Sequence, residues 1–311
     1  MNIPRAKTHI LDKWHPVVNH FDAKDPVALT VEPGDVVVAE SRFILDSSGR
    51  YFGPRTTLEE FKLLKWSGHA LFGPIYIEGA EPGDVLEVKI LDVKTSPWAA
   101  SWARPGSGFL PDEFKEVNLR HYQNIDVDKG ILHFSPGIEV PIAPFMGVMA
   151  VAPPPEEGEM KTREPRRYGG NMDWNFLLKG STLYLPVFNE GALFYVGDGH
   201  VVQGDGELTS AAEGHNTVTF QFFIRKGRKI EWPEAENDKY YATSGFHEDL
   251  KKAGQIALEN MINYLVDVKG LPNRKEAICL CTIAIEMRVI QVATGNVGIA
   301  VLIPKSIFKP A

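Results

Sequence analysis

Cysteine is scarce in this sequence: of 311 residues only Cys279 and Cys281 are cysteines. They stand two apart inside an apolar run, so in a strand they would share a face without stapling distant segments. Reduced, buried thiols of a cytoplasmic protein are the expectation. No run approaches the roughly 18 consecutive apolar residues of a membrane-spanning helix. The opening MNIPRAKTHILDKWHP lacks the apolar stretch of a secretory signal. An excess of basic charge is missing too. Lys and Arg number 33 against 40 Asp and Glu, a net charge of −7. That balance, with scattered basic residues, excludes a nucleic-acid binder working by phosphate neutralisation. There is no G-x-S-x-G elbow, and neither cysteine sits in a glycine-rich turn, so a serine or cysteine nucleophile finds no support.

What is present is an ordinary globular composition, 44% apolar and 23% charged, long enough for one large domain or two smaller ones. Short apolar runs bounded by Gly and Pro recur through the first two-thirds. The words EPGD-V appear twice, at Glu32 and Glu81, each opening a strand. Residues 96–108 (SPWAASWARPGSG) read as a long loop holding Trp98 and Trp102. Residues 216–225 (NTVTFQFFIR) alternate as an antiparallel strand does. In residues 249–268, Leu250, Ala253, Ile256, Ala257, Met261, Ile262 and Leu265 recur at helical spacing, with Gly270 and Pro272 at the stop. Residues 274–291 lean toward a second helix. The expected fold is mainly β, with sandwich- or barrel-like units and an α+β C-terminal part containing one or two helices. It forms a single domain over 1–311, with a division into β-rich subunits 1–152 and 153–311 as the alternative, since Pro153–Glu159 has a linker's composition.

Residues 168–213 carry most of the chemistry. Asp173 follows Gly169-Gly170-Asn171-Met172, the GDGH run holds Asp198 and His200, QGDGE holds Asp205 and Glu207, and Glu213 comes soon after. Glycines allow positive φ and close backbone approach. Acids and an imidazole on glycine-flanked turns suit a metal ion or a hydrolase that activates water. Asp-Gly pairs are also plain hairpin turns, but here two of them bracket a histidine. His69 either lines a polar cleft or caps a strand. His9, His15 and His20 fit no ligand spacing and read as surface or cleft residues.

GGNMD, LYLPVF, GALF, GDGH and QGDGE in that order, with GPIY-x-EGAEPGD and PFMGVMAVAP before them, closely resemble the acetamidase/formamidase family. The resemblance implies a hydrolase that cleaves the C–N bond of a small linear amide such as formamide or acetamide. It also implies a homo-oligomer. A divalent metal would be held by Asp173 and His200 with Asp198. Zinc best fits the mixed nitrogen and oxygen ligands, with calcium as the alternative. Glu207, Asp205 or Glu213 would act as general base, and His69, Gly170 and Asn171 would bind substrate. Many relatives carry His where Tyr168 stands, so that position's role departs from the family pattern. Two other readings compete: an amidase for a larger or cyclic amide, which Trp98, Trp102 and Trp174 would suit, and a non-enzymatic β-module binding a small ligand and calcium.

Overall fold

The computed structural model describes residues 6–41, 52–65 and 68–309. The strands that build the site are β1 (Val36–Glu40), β2 (Leu71–Ile77), β3 (Val85–Ala103), β4 (Phe145–Val151), β5 (Gly169–Asn171), β6 (Thr182–Pro186), β7 (Phe194–Val202), β8 (Ala212–Arg225), β9 (Glu234–Glu236), β10 (Tyr240–His247), β11 (Glu286–Gln291) and β12 (Val297–Pro304). The helices are α1 (Leu58–Lys62), α2 (Leu250–Asp267) and α3 (Arg274–Ala284). The main path of one 15-stranded sheet runs β5-β4-β7-β8-β3-β6-β9-β10-β12-β11, with β1 on β8 and β2 on β7. Strands from before and after residue 152 therefore pair with each other, as β3 does between β8 and β6.

The repeated EPGD words make the same turn. Asp35 and Asp84 each accept, through Oδ2, the backbone N–H three residues back, at 3.3 and 2.9 Å. Gly34 and Gly83 take φ of 95° and 93°, which a side chain would resist. In β8 the alternation places Val218, Phe220 and Phe222 in the core. That core also takes Leu86 and Val88 of β3, and Phe194 and Val196 of β7. A second core lies between α2, α3 and the β10/β12 face, built on Ala257, Met261, Leu265 and Val301. No described helix is long and apolar enough to cross a membrane.

Three expectations need correction. Residues 96–108 are not a loop throughout, because β3 continues to Ala103. Pro97 is accommodated because the β3–β8 register shifts beside it, between Gly214 and Asn216, where the ladder needs no N–H. The helix expected over 274–291 ends at Ala284, and β11 follows because pairing with β12 overrides local helix preference. Cys279 and Cys281 consequently lie on a helix, where two residues turn the chain by about 200°: Cys281 is buried and Cys279 exposed. Phe145–Val151 and the interior of Val297–Pro304 are buried within the fold.

Candidate active site

Strand alternation puts Asp198 and His200 on one face of β7. Glu213 stands opposite His200 in the β7–β8 ladder. Asp173 follows β5, its N–H donating to the Gly147 carbonyl of β4 at 3.1 Å. Glu207 ends the Gly204–Glu207 turn. The result is a buried knot around one imidazole. His200 Nε2 lies 3.1 Å from Asp198 Oδ2, 3.3 Å from Glu213 Oε2 and 3.9 Å from Asp173 Oδ1. Glu207 completes a group with Asp173 and His200, whose ligand atoms lie within 4.8 Å of one another.

Backbone strain marks the same place. Among the described residues, five non-glycines have positive φ, and three of them are Asp173 (49°), Asp198 (62°) and Glu207 (36°). Such conformations cost on the order of 1–3 kcal/mol each and persist where surroundings force them. Here they turn acids inward.

The tautomer of His200 follows from Gln203. The Gln203 Nε2 amide donates to the Asp173 carbonyl at 2.7 Å, which leaves its Oε1 facing His200 Nδ1 at 3.0 Å. Nδ1 must then carry a proton, and Nε2 is the atom offered to the four acids. This is how a metal-binding histidine is oriented by its outer partner.

Burial, and next Glu207, push the Asp173 carboxyl well above its usual range. Burial lifts Glu207 to about 7 and Glu213 to about 8, against the pull of His200. Burial would lower His200, but Glu213 and Asp198 outweigh it and hold the imidazole well above its ordinary value. Burial would raise Asp198, yet His200 and His69 hold it below the usual carboxylate range. Burial keeps His69 low.

The cluster fits a cation. Both oxygens of Asp173 are buried with no hydrogen-bond partner, which is costly for a carboxylate unless positive charge is supplied. A Cβ on Gly147 would lie 2.6 Å from Asp198 Oδ2, 2.7 Å from Asp173 Oδ1 and 2.9 Å from His200 Cε1. Glycine there keeps the floor of the cradle open.

A cleft of about 660 Å³ reaches this knot and exposes Asp198, Glu207 and Glu213 at its inner end. His69 and Asn171 line it. Thr162 Oγ1 fixes His69 through its backbone N–H at 2.9 Å and Nδ1 at 3.0 Å. Asn171 Oδ1 is buried without a donor. Gly170 is not among the lining residues and instead backs onto Glu164 and Pro165.

Asp205 stands apart from the other acids. It lies outside the knot, bound at both oxygens by Arg288 at 2.9 Å and by Asn175 at 2.9 Å. Gly206 and Glu207 both take positive φ, so Asp205 and Glu207 point to different partners. Asp205→Asn is expected to cost about 1 kcal/mol of stability or less, since the pair is half-exposed; thermal melts check this. Of the tryptophans, Trp98 and Trp102 both pack in the cluster of Phe52 and Phe61, Trp102 also lining the cleft, and Trp174 is buried in the main core. Tyr168 is likewise buried, edge-on to Phe21. His9 and His20 pair with Asp35 and Asp25, away from the knot. Gln203 and Gly147 carry no signal of their own in the sequence. Only the i, i+3 spacing of Gln203 from His200 could have marked the first.

The acetamidase/formamidase family model matches residues 3–159 and 156–310. The chain belongs to that family. It is 29% identical over 255 residues to the formamidase of Methylophilus methylotrophus, covering 64% of this chain and 60% of that protein. It is 29% identical over 259 residues to the acetamidase of Mycolicibacterium smegmatis, covering 63% and 61%. The chain thus spans less than two thirds of the length of these curated relatives. Its fold matches the crystal structure of a predicted acetamidase/formamidase from Thermoanaerobacter tengcongensis at a TM-score of 0.87, with 27% identity and 97% of each chain covered.

Proposed function

We propose that this acetamidase/formamidase family member hydrolyses the C–N bond of a small amide, giving carboxylate and ammonia, at the His200 knot with a divalent metal held there. The observation that carries the reading is the convergence of buried carboxylates on His200 Nε2 at the inner end of an open cleft. The formamidase and acetamidase names of the relatives support it. Asp173, Asp198 and His200 would hold the metal. An imidazole among carboxylates suits zinc better than calcium, which takes oxygen ligands. When bound, the metal supplies Lewis-acid polarisation of a carbonyl or of water.

The other groups have separate tasks. Glu207, with its pKa near 7, takes a proton from water and returns one to the departing nitrogen. The orphaned Asn171 Oδ1 accepts from the substrate's NH2 group, and His69, kept neutral by burial, offers a hydrogen bond to the amide.

Asp173→Asn and His200→Ala are each expected to lose metal and activity together. Glu207→Gln should keep the metal while turnover falls about 10²–10⁴-fold. Ammonia release from formamide and acetamide, with metal analysis before and after chelation, tests this. Loss of metal from Glu207→Gln would exchange the ligand and base assignments. Turnover indifferent to chelator would end the metal reading.

A further inference from the structure

The cleft is larger than formamide or acetamide requires. At about 660 Å³ it lies within the roughly 300–1,000 Å³ range of pockets that take drug-sized ligands. Its charge is also divided by depth. The acids Asp198, Glu207 and Glu213 lie at the inner end, each with its side chain or residue less than a tenth exposed. Lys161 and Arg163, both exposed, line the same cleft, and Arg104 lines it with a buried Nη2. Arg104 is half-buried, its guanidinium 4.4 Å from the Phe61 ring centre, so it is a positioned cation. Lys161 is exposed and makes no ion pair among the described residues. Arg163 is 68% exposed and reaches Glu164 only at 3.9 Å. Three cations grouped at one mouth stand out on a chain of net charge −7.

Resting on the amidase reading, we propose that the substrate is an amide carrying a carboxylate at its far end, with the amide directed inward and the carboxylate held by Arg104, Lys161 and Arg163. The division of charge sets the orientation. At the inner end the carboxylates of Asp173, Asp198, Glu207 and Glu213 already balance a divalent cation, so an anion gains little there, whereas Lys161 and Arg163 attract it over about a Debye length. Trp102, on the cleft wall, covers the carbon chain between the two ends. Water adds to the amide carbon, the C–N bond breaks and the nitrogen leaves with a transferred proton as ammonia. The product is a dicarboxylate whose new charge sits beside the inner acids.

Comparison of succinamate with butyramide, its uncharged counterpart, tests the proposal in the metal-loaded enzyme. At low ionic strength kcat/KM for succinamate is expected to exceed that for butyramide about tenfold, and the ratio should shrink as salt is added. The double variant Lys161→Gln/Arg163→Gln, changed only at exposed side chains, should lose most of that preference, read as the ratio of the two kcat/KM values. A wild-type ratio of one or less, or a ratio unmoved in the double variant, overturns the proposal while leaving the amidase reading intact. Calorimetric binding of succinate separates the two failures. If no amide is hydrolysed, the amidase reading falls; succinate binding that weakens in the double variant would still support an anion-holding mouth, and its absence would overturn that as well.

Discussion

Gly147→Ala is expected to lower kcat/KM for a small amide by about 100-fold or more, with loss of bound metal, because one methyl group displaces ligands that must converge. The added carbon would sit 2.6–2.9 Å from Asp198, Asp173 and His200, closer than carbon atoms approach such neighbours. None of the three can yield cheaply. His200 is held by Gln203, while Asp173 and Asp198 stand on strained backbone. The φ of Gly147 lies outside the left-handed region, so alanine brings no backbone penalty and the effect isolates the lost space. Metal content by mass spectrometry and the melting temperature separate a collapsed cradle from a collapsed fold. Full metal occupancy with normal turnover in Gly147→Ala would move the centre elsewhere.

Without metal, the protein is expected to lose stability as pH rises from about 5 to 8. Glu207 and Glu213 rise from 4.5 to about 7 and about 8 in the fold, and His200 is raised as well. Between the unfolded and folded values these three groups bind more protons in the native state than in the unfolded chain, and they outnumber His69 and His215, whose imidazoles burial lowers and which act in the opposite sense. Stability then falls with rising pH. Asp198 is lowered; its contribution is lost only as pH falls below the ordinary carboxylate value, outside this window. A tenfold change in proton affinity corresponds to about 1.4 kcal/mol, so a combined loss of a few kcal/mol and several degrees in Tm is expected. A bound cation replaces those protons, so the stabilisation it gives should grow over the same range. Thermal melts of chelated and zinc-loaded protein at pH 5, 6.5 and 8 measure both slopes. A chelated protein whose Tm rises with pH would contradict the shared-proton cluster.

Much of the architecture was legible in the residues. Alternation located β8, helical spacing located α2 to within a residue at each end, and the glycine-flanked acids and His200 lie together in the fold as a candidate metal group. What stayed hidden needed neighbours distant in sequence. Gly147 looks like one more small residue in an apolar strand until β4 lies beside β7. Asp205 and Glu207 are equal candidates on paper, and only the turn at Gly206 and the reach of Arg288 divide them. Trp98 and Trp102 both pack against Phe52, which is distant in sequence, and Trp102 alone also reaches the cleft. The helix-like run after residue 284 became a strand because β12 was there to pair with it.

The turn that presents Glu207 is fastened to β11 and the residue that follows it. The Gly206 N–H donates to the Ile290 carbonyl at 3.2 Å, the Gly206 carbonyl accepts from Val292 at 2.8 Å, and Arg288 grips Asp205. On the ribosome, the segment bearing the four acids and His200 emerges before the strand that clamps it. At about 5–20 residues per second the interval is on the order of ten seconds. A nascent chain in that interval already carries every proposed metal ligand, but its Glu207 turn is held only from one side, by Asn175 and Phe109, and lacks the bonds to Ile290, Val292 and Arg288. The turn that carries Glu207 is thus fully fastened only once the last strands have docked.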